Sequence, residues 1–104
     1  MDFDQILDLI VLAGKKRRVL KICYPKTENS PSGWREVEPY SFSTDIGSQG
    51  EHLTLEKEEI LPGHILNAFS LKSGKNHCQS FILSKITAAA LTDKRFNPRW
   101  PVEI

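Results

Sequence analysis

The chain has 104 residues, enough for one domain and too few for two, and its 39% hydrophobic content is that of an ordinary globular protein with a modest core. Fourteen basic against thirteen acidic residues leave a net charge of +1, which excludes a global field suited to wrapping duplex nucleic acid or coating an anionic membrane. Any electrostatic attraction has to come from a local patch.

Asp2, Asp4 and Asp8 interrupt what would have to be an uncharged export segment, and no apolar run is long enough to span a bilayer. The expected location is the cytoplasm, with no membrane partner. Ile6, Leu7, Leu9, Ile10 and Leu12 recur at helical spacing, with Asp2 or Asp4 placed to cap the start and Gly14 to end it. This predicts a helix over residues 1–14 that is too short to persist alone in water and is seated on a sheet.

Lys15-Lys16-Arg17-Arg18 then runs into Val19-Leu20-Lys21-Ile22-Cys23-Tyr24, a strand by its β-branched and aromatic content, ended by Pro25. The basic cluster is read either as a solvated turn or as one wall of a phosphate site. Residues 26–33 are turn-forming and connect two antiparallel strands. The second of these, Arg35-Glu36-Val37-Glu38-Pro39-Tyr40, alternates so that Arg35 and Val37 share one face and Trp34, Glu36 and Glu38 the other, and it is expected to stop at its proline. Arg35 and Tyr40 either hold an anion between them or tie the strand to its neighbour.

Residues 44–63 read as an irregular insertion, with a strand-like His52-Leu53-Thr54-Leu55 and one or two helical turns before Pro62-Gly63. Residues 64–71 and 76–83 form strands joined across Lys72-Ser73-Gly74-Lys75, residues 85–91 a further strand, and residues 93–104, with Pro98 and Pro101, an extended tail anchored by Phe96 and Trp100. The fold class is mainly β (α+β by count): a strongly bent sheet or partly open barrel of about five strands over 15–92, preceded by one helix, in a single domain.

Chemical motifs are sparse. Gly74-Lys75 lacks both the following Ser or Thr and the preceding glycine of a phosphate loop, and His52, His64 and His77 have no metal-ligand spacing. Cys23 and Cys78 fit reduced thiols, with a bridge between neighbouring strands left open. No Gly-x-Ser-x-Gly elbow occurs, so neither an enzyme nor a cofactor is expected.

Taken together, Arg35 to Tyr40, Ser80-Phe81-Ile82-Leu83-Ser84-Lys85-Ile86 and the terminal Phe96-Asn97-Pro98-Arg99-Trp100-Pro101-Val102-Glu103-Ile104 resemble the WYL domain family from about Lys15 onward. The family's Arg-x-Val-x-Pro-Tyr block is intact at Arg35 to Tyr40. Its Trp-Tyr-Leu triplet reads His64-Ile65-Leu66, and its later Arg-x-Phe-x-Leu-Asp-Arg-Ile pattern keeps Phe81, Leu83 and Ile86 but has Gln79 and Lys85 for the arginines and Ser84 for the aspartate. The resemblance implies an SH3-like or Sm-like barrel of bacterial transcriptional regulators or defence proteins that senses a nucleotide or single-stranded nucleic acid. Lys16, Arg17, Arg35, Tyr40, Gln79 and Lys85 are the candidate ligand-binding residues, with weakened grip because Gln79 has no charge and Lys85 no fork. One helix before the first strand leaves no helix-turn-helix for binding duplex DNA by that route, and a protein partner or a DNA-binding regulator is among the partners the resemblance admits. The alternative is a degenerate barrel acting as a protein-interaction adaptor without a ligand.

Overall fold

The computed structural model describes residues 1–27, 31–44, 52–53, 57–72, 74 and 76–104. Helix α1 spans Phe3–Lys16 and is followed by strands β1 (Arg18–Tyr24), β2 (Gly33–Ser43), β3 (His52–Leu53), β4 (Ile65–Ser70), β5 (Gln79–Ile82) and β6 (Ala88–Arg95). Short 3-10 turns occupy Lys57–Glu59 and Leu83–Lys85. Residues 45–51 and 54–56 of the expected irregular insertion lie outside the described residues, as do residues 28–30 of the first expected turn and Ser73 and Lys75 of the second.

Asp2 starts α1 by accepting the Gln5 amide at 2.8 Å while the Gln5 side chain takes the Asp2 amide at 3.1 Å, so two otherwise unpaired donors are satisfied reciprocally. The helix does not end at Gly14. It continues to Lys16, and Arg17 supplies the left-handed cap at φ 56°. Gly14 has a packing role instead: a Cβ there would stand 2.9 Å from the Cβ of Ile104, so its bare backbone lets the tail approach the helix.

The antiparallel sheet runs β5-β4-β2-β1-β6, with β3 paired to the far end of β2. β2 is the spine. Its first half, Gly33 to Val37, pairs with β1, and its second half, Val37 to Ser43, pairs with β4. The strand therefore does not stop at Pro39. The proline falls where β1 has already left β2 and where the register with β4 shifts between Pro39 and Ser41, a place where a missing amide hydrogen is tolerated. β5 is shorter than its apolar pattern because Leu83–Lys85 turns, and β6 runs on through Arg95 into what the prolines had marked as tail.

The sheet is open, with β5 and β6 at its edges, and strongly curled. Tyr24 on β1 and Ile82 on β5 are separated in the sheet by β2 and β4, yet the Ile82 amide donates to the Tyr24 hydroxyl at 2.9 Å. Inside the curl, Leu20, Ile22, Val37, Phe42, Leu66 and Phe81 form one core with Ile6, Leu7, Ile10 and Ala13 of α1. This is the apolar face read from the helix, buried against the sheet as expected. On the opposite face a smaller cluster gathers Val19, Tyr40, Phe69 and Phe96, with Leu71, Cys78 and Val102 packed on it.

Candidate functional site

The outer face buries a charged group, the Glu38 carboxylate. Alternation along β2 places Glu38 and Tyr40 there, and the chain after β6 folds back over them. The Tyr40 hydroxyl donates to Glu38 Oε1 at 2.7 Å and accepts the Arg99 amide at 3.0 Å, while Arg99 Nε donates to the same carboxylate oxygen at 3.3 Å. The Glu103 amide reaches the Tyr40 carbonyl at 2.7 Å. Glu38 is 3% exposed, so these donors replace the water its charge has lost. The aromatic rings complete the clasp: Trp100 meets Tyr40 edge-on at 5.3 Å, and the Arg99 guanidinium lies 4.1 Å from the centre of the Phe69 ring.

Burial pushes the Tyr40 phenol up to about 12, reinforced by the Glu38 carboxylate and opposed by the Arg99 amide; burial also lifts the Cys78 thiol to about 11. Both groups hold their protons more tightly in the folded chain than in the unfolded one, so their contribution to stability is complete below pH 9 and is lost as pH rises toward 12. Thermal melts followed by circular dichroism should show Tm falling across that range, with a shallower fall in Tyr40→Phe. An unchanged slope in that variant would remove Tyr40 as a cause.

Positive charge gathers at one end of the sheet. Arg18 opens β1 and Arg95 closes β6, and the two are register partners on adjacent strands. The end of α1 brings Lys15, Lys16 and Arg17 to the same corner, held there by the Phe96 amide bonding to the Arg17 carbonyl at 2.9 Å. Neither Arg18 nor Arg95 has a carboxylate partner among the described residues, and Arg18 Nε is buried without a hydrogen-bond acceptor. Lys94 and Arg99 are different. Lys94 sits 2.9 Å from Glu36, whose carboxyl its hydrogen bond holds below the usual range, and Arg99 is paired with Glu38.

Two grooves flank the Tyr40–Glu38–Arg99 clasp. One of about 620 Å³ includes Glu38, Lys94, Arg95, Asn97 and Arg99 in its walls, and one of about 440 Å³ includes Tyr40, Ser41, Asn67, Cys78, Trp100 and Glu103. Volumes of this size are those of small-ligand sites. Comparisons with protein-family models, curated protein sequences and solved structures return no match. The functional reading therefore rests on the chain's own geometry.

That geometry divides the six candidate ligand residues. Lys16 and Arg17 sit at the basic corner. Arg35 is at the other end of β1, opposite Ile22, where its guanidinium donates to the Pro25 and Pro31 carbonyls at 3.1 Å each and lies 5.3 Å from the Tyr24 ring centre and 5.9 Å from that of Phe81. It closes the inner core, whereas Tyr40 belongs to the outer face, so the two do not hold an anion between them. Of the two alternatives read for this pair, Arg35 is the structural tie. Lys85 is exposed before β6 begins, a strand's length from Arg95, and Gln79 is half-buried on edge strand β5 opposite Ala68. Sequence reasoning singled out neither Arg95 nor Glu38 nor Arg99. The signal for Arg95 was hidden, because pairing with Arg18 requires β6 to extend beyond the expected end of its strand. No group of three or more His, Cys, Asp or Glu among the described residues can hold a metal ion, and no described helix is long and apolar enough to cross a membrane.

Proposed function

We propose that this chain is a non-catalytic, WYL-like sensing domain that binds a nucleotide or single-stranded nucleic acid in a transcription-regulation or defence setting, with its phosphates at the corner formed by Lys16, Arg17, Arg18 and Arg95. The observation that carries this reading is the side-by-side placement of Arg18 and Arg95 without a carboxylate partner among the described residues. Two arginines at paired register positions without such a partner gain from an anion that reaches both, and arginine matches phosphate oxygens in a way lysine does not. Arg95 continues this charge into the groove that Arg99 also lines.

Fluorescence anisotropy of a short labelled single-stranded oligonucleotide tests the proposal. Saturable binding should weaken with salt, and the Arg18→Gln/Arg95→Gln pair should lower affinity roughly tenfold at low salt and flatten the salt dependence by about 1.4 in log–log slope, two phosphate contacts at about 0.7 each. Binding unaffected by the double substitution would move the phosphates elsewhere.

A second reading, an adaptor for a protein partner, draws on a different surface. Trp34 is 57% exposed on the outer face beside Cys23, whose other register neighbour is Ala88 of edge strand β6. A flat aromatic beside small residues and an unpaired strand edge suits β-strand addition. Absence of oligonucleotide binding together with capture of an extended peptide, lost in Trp34→Ala, would favour this reading.

A further inference from the structure

We infer that the groove between Trp100 and the Ser41–Asn67 pair of β2 and β4 is a pocket for the nucleobase, so that the ligand of the sensing domain is read by its ring as well as by its phosphate; this rests on the function proposed above. The groove offers phosphate no counter-charge. Its walls carry no lysine or arginine among the described residues. An anion gains nothing there from a cation, whereas a neutral ring needs none.

Shape and hydrogen bonding select the ring further. Trp100 is 38% exposed and supplies a flat indole held edge-on to Tyr40, so one stacking surface is fixed in place without filling the groove. Opposite it the shift in register puts Ser41 on the same face as Tyr40, where it is 4% exposed. Asn67 donates both of its amide hydrogens, to Ser41 and Ser43 Oγ at 3.2 Å each, and the Ser80 hydroxyl donates toward Asn67 Oδ1 at 3.5 Å. Ser41 Oγ already accepts, and its own hydroxyl hydrogen meets no acceptor among the described residues, so an acceptor on a ligand in the groove can take it. A planar, neutral heteroaromatic ring with an acceptor on its edge satisfies both walls. The neighbouring groove, lined by Arg99 and Arg95, receives the phosphate end of the same ligand, because Arg99 and Trp100 are consecutive on the tail.

The test uses Trp34→Phe protein, in which Trp100 is the remaining indole, titrated with adenosine, guanosine, cytidine and uridine, and separately with ribose 5-phosphate. At least one nucleoside should quench Trp100 saturably and independently of salt, while ribose 5-phosphate should not. Trp100→Leu, read by calorimetry, should weaken nucleoside binding roughly tenfold or more. Ser41→Ala, which keeps the indole, should weaken it by about fivefold. Arg18→Gln/Arg95→Gln should leave nucleoside binding unchanged and lower only oligonucleotide affinity. Salt-dependent oligonucleotide binding with no response to any nucleoside would overturn the base pocket and leave the phosphate corner standing. Equal quenching by ribose 5-phosphate would also overturn it. Absence of both oligonucleotide and nucleoside binding would remove the sensing function and the pocket with it.

Discussion

Phe81→Ala is expected to cost about 3–5 kcal/mol of stability, the range for deleting a buried aromatic ring from a core that collapses only in part. Phe81 is 1% exposed, meets Tyr24 edge-on at 5.1 Å, and has the Arg35 guanidinium 5.9 Å from its centre. Its removal opens the inner core at the point where the curled sheet brings β1 and β5 together through the Tyr24 hydroxyl and the Ile82 amide. For a domain whose whole stability is on the order of 5–15 kcal/mol, that loss is a large share of the total, and from the low end of the range it leaves an appreciable unfolded fraction at ambient temperature. Urea unfolding followed by circular dichroism measures it. A shift below about 1 kcal/mol would contradict the placement of this ring at the centre of the inner core.

Tyr40→Phe keeps the ring and removes one oxygen, and it is expected to cost about 2–3 kcal/mol. The hydroxyl donates to a carboxylate that is 3% exposed and accepts the Arg99 amide, so its loss leaves a buried charge with one donor fewer and a backbone amide without its acceptor. The coupling is with Glu38. A double-mutant cycle with Glu38→Gln should show an interaction energy well above the few tenths found between independent sites. Hydrogen exchange should report the same event locally, with the Arg99 amide exchanging faster in Tyr40→Phe while the Ile82 amide is unchanged. Stability within about 0.5 kcal/mol of the parent would mean that water already reaches Glu38 and that the tail is not clasped through it.

These two residues also mark what was legible in the sequence. Helix α1 and the strand character of β1, β2, β4 and β5 follow from periodicity, because a helix with one apolar face and strands with one buried face leave that pattern. Alternation along β2 was legible as well: it puts Tyr40 with Glu38, on the face opposite Arg35, and read strictly it already separates the arginine from the phenol. The continuation of β2 through Pro39 was not legible, since proline marks the end of pairing unless the neighbouring strand has left and a bulge absorbs the missing donor. The length of β6 was hidden for a related reason. Ala88-Ala89-Ala90 suits either regular structure, and Asp93-Lys94-Arg95 reads as solvated turn until Arg18 and Glu36 are placed beside it. Burial of Glu38 was not legible locally, because Arg99, which pairs with it, is about sixty positions away.

The basic corner shares this origin. Lys15 to Arg18 is visible as a run, but a run of four cations is ordinary at a turn. What distinguishes it is the arrival of Arg95 from the other end of the sheet. Gln79 and Lys85 weigh less in the proposed function, whose phosphate site lies at the Arg18–Arg95 end of the open sheet.

The most direct test of that assignment is a chemical-shift titration of the ¹⁵N-labelled chain with a short single-stranded oligonucleotide at low salt. Perturbations should centre on the amides of Arg17, Arg18 and Arg95, spread to Arg99 and Trp100, leave Arg35 and Lys85 unmoved, and reverse on addition of salt. Shifts centred on Arg35 and Lys85, or none at the Arg18–Arg95 corner at saturating oligonucleotide, would contradict the account.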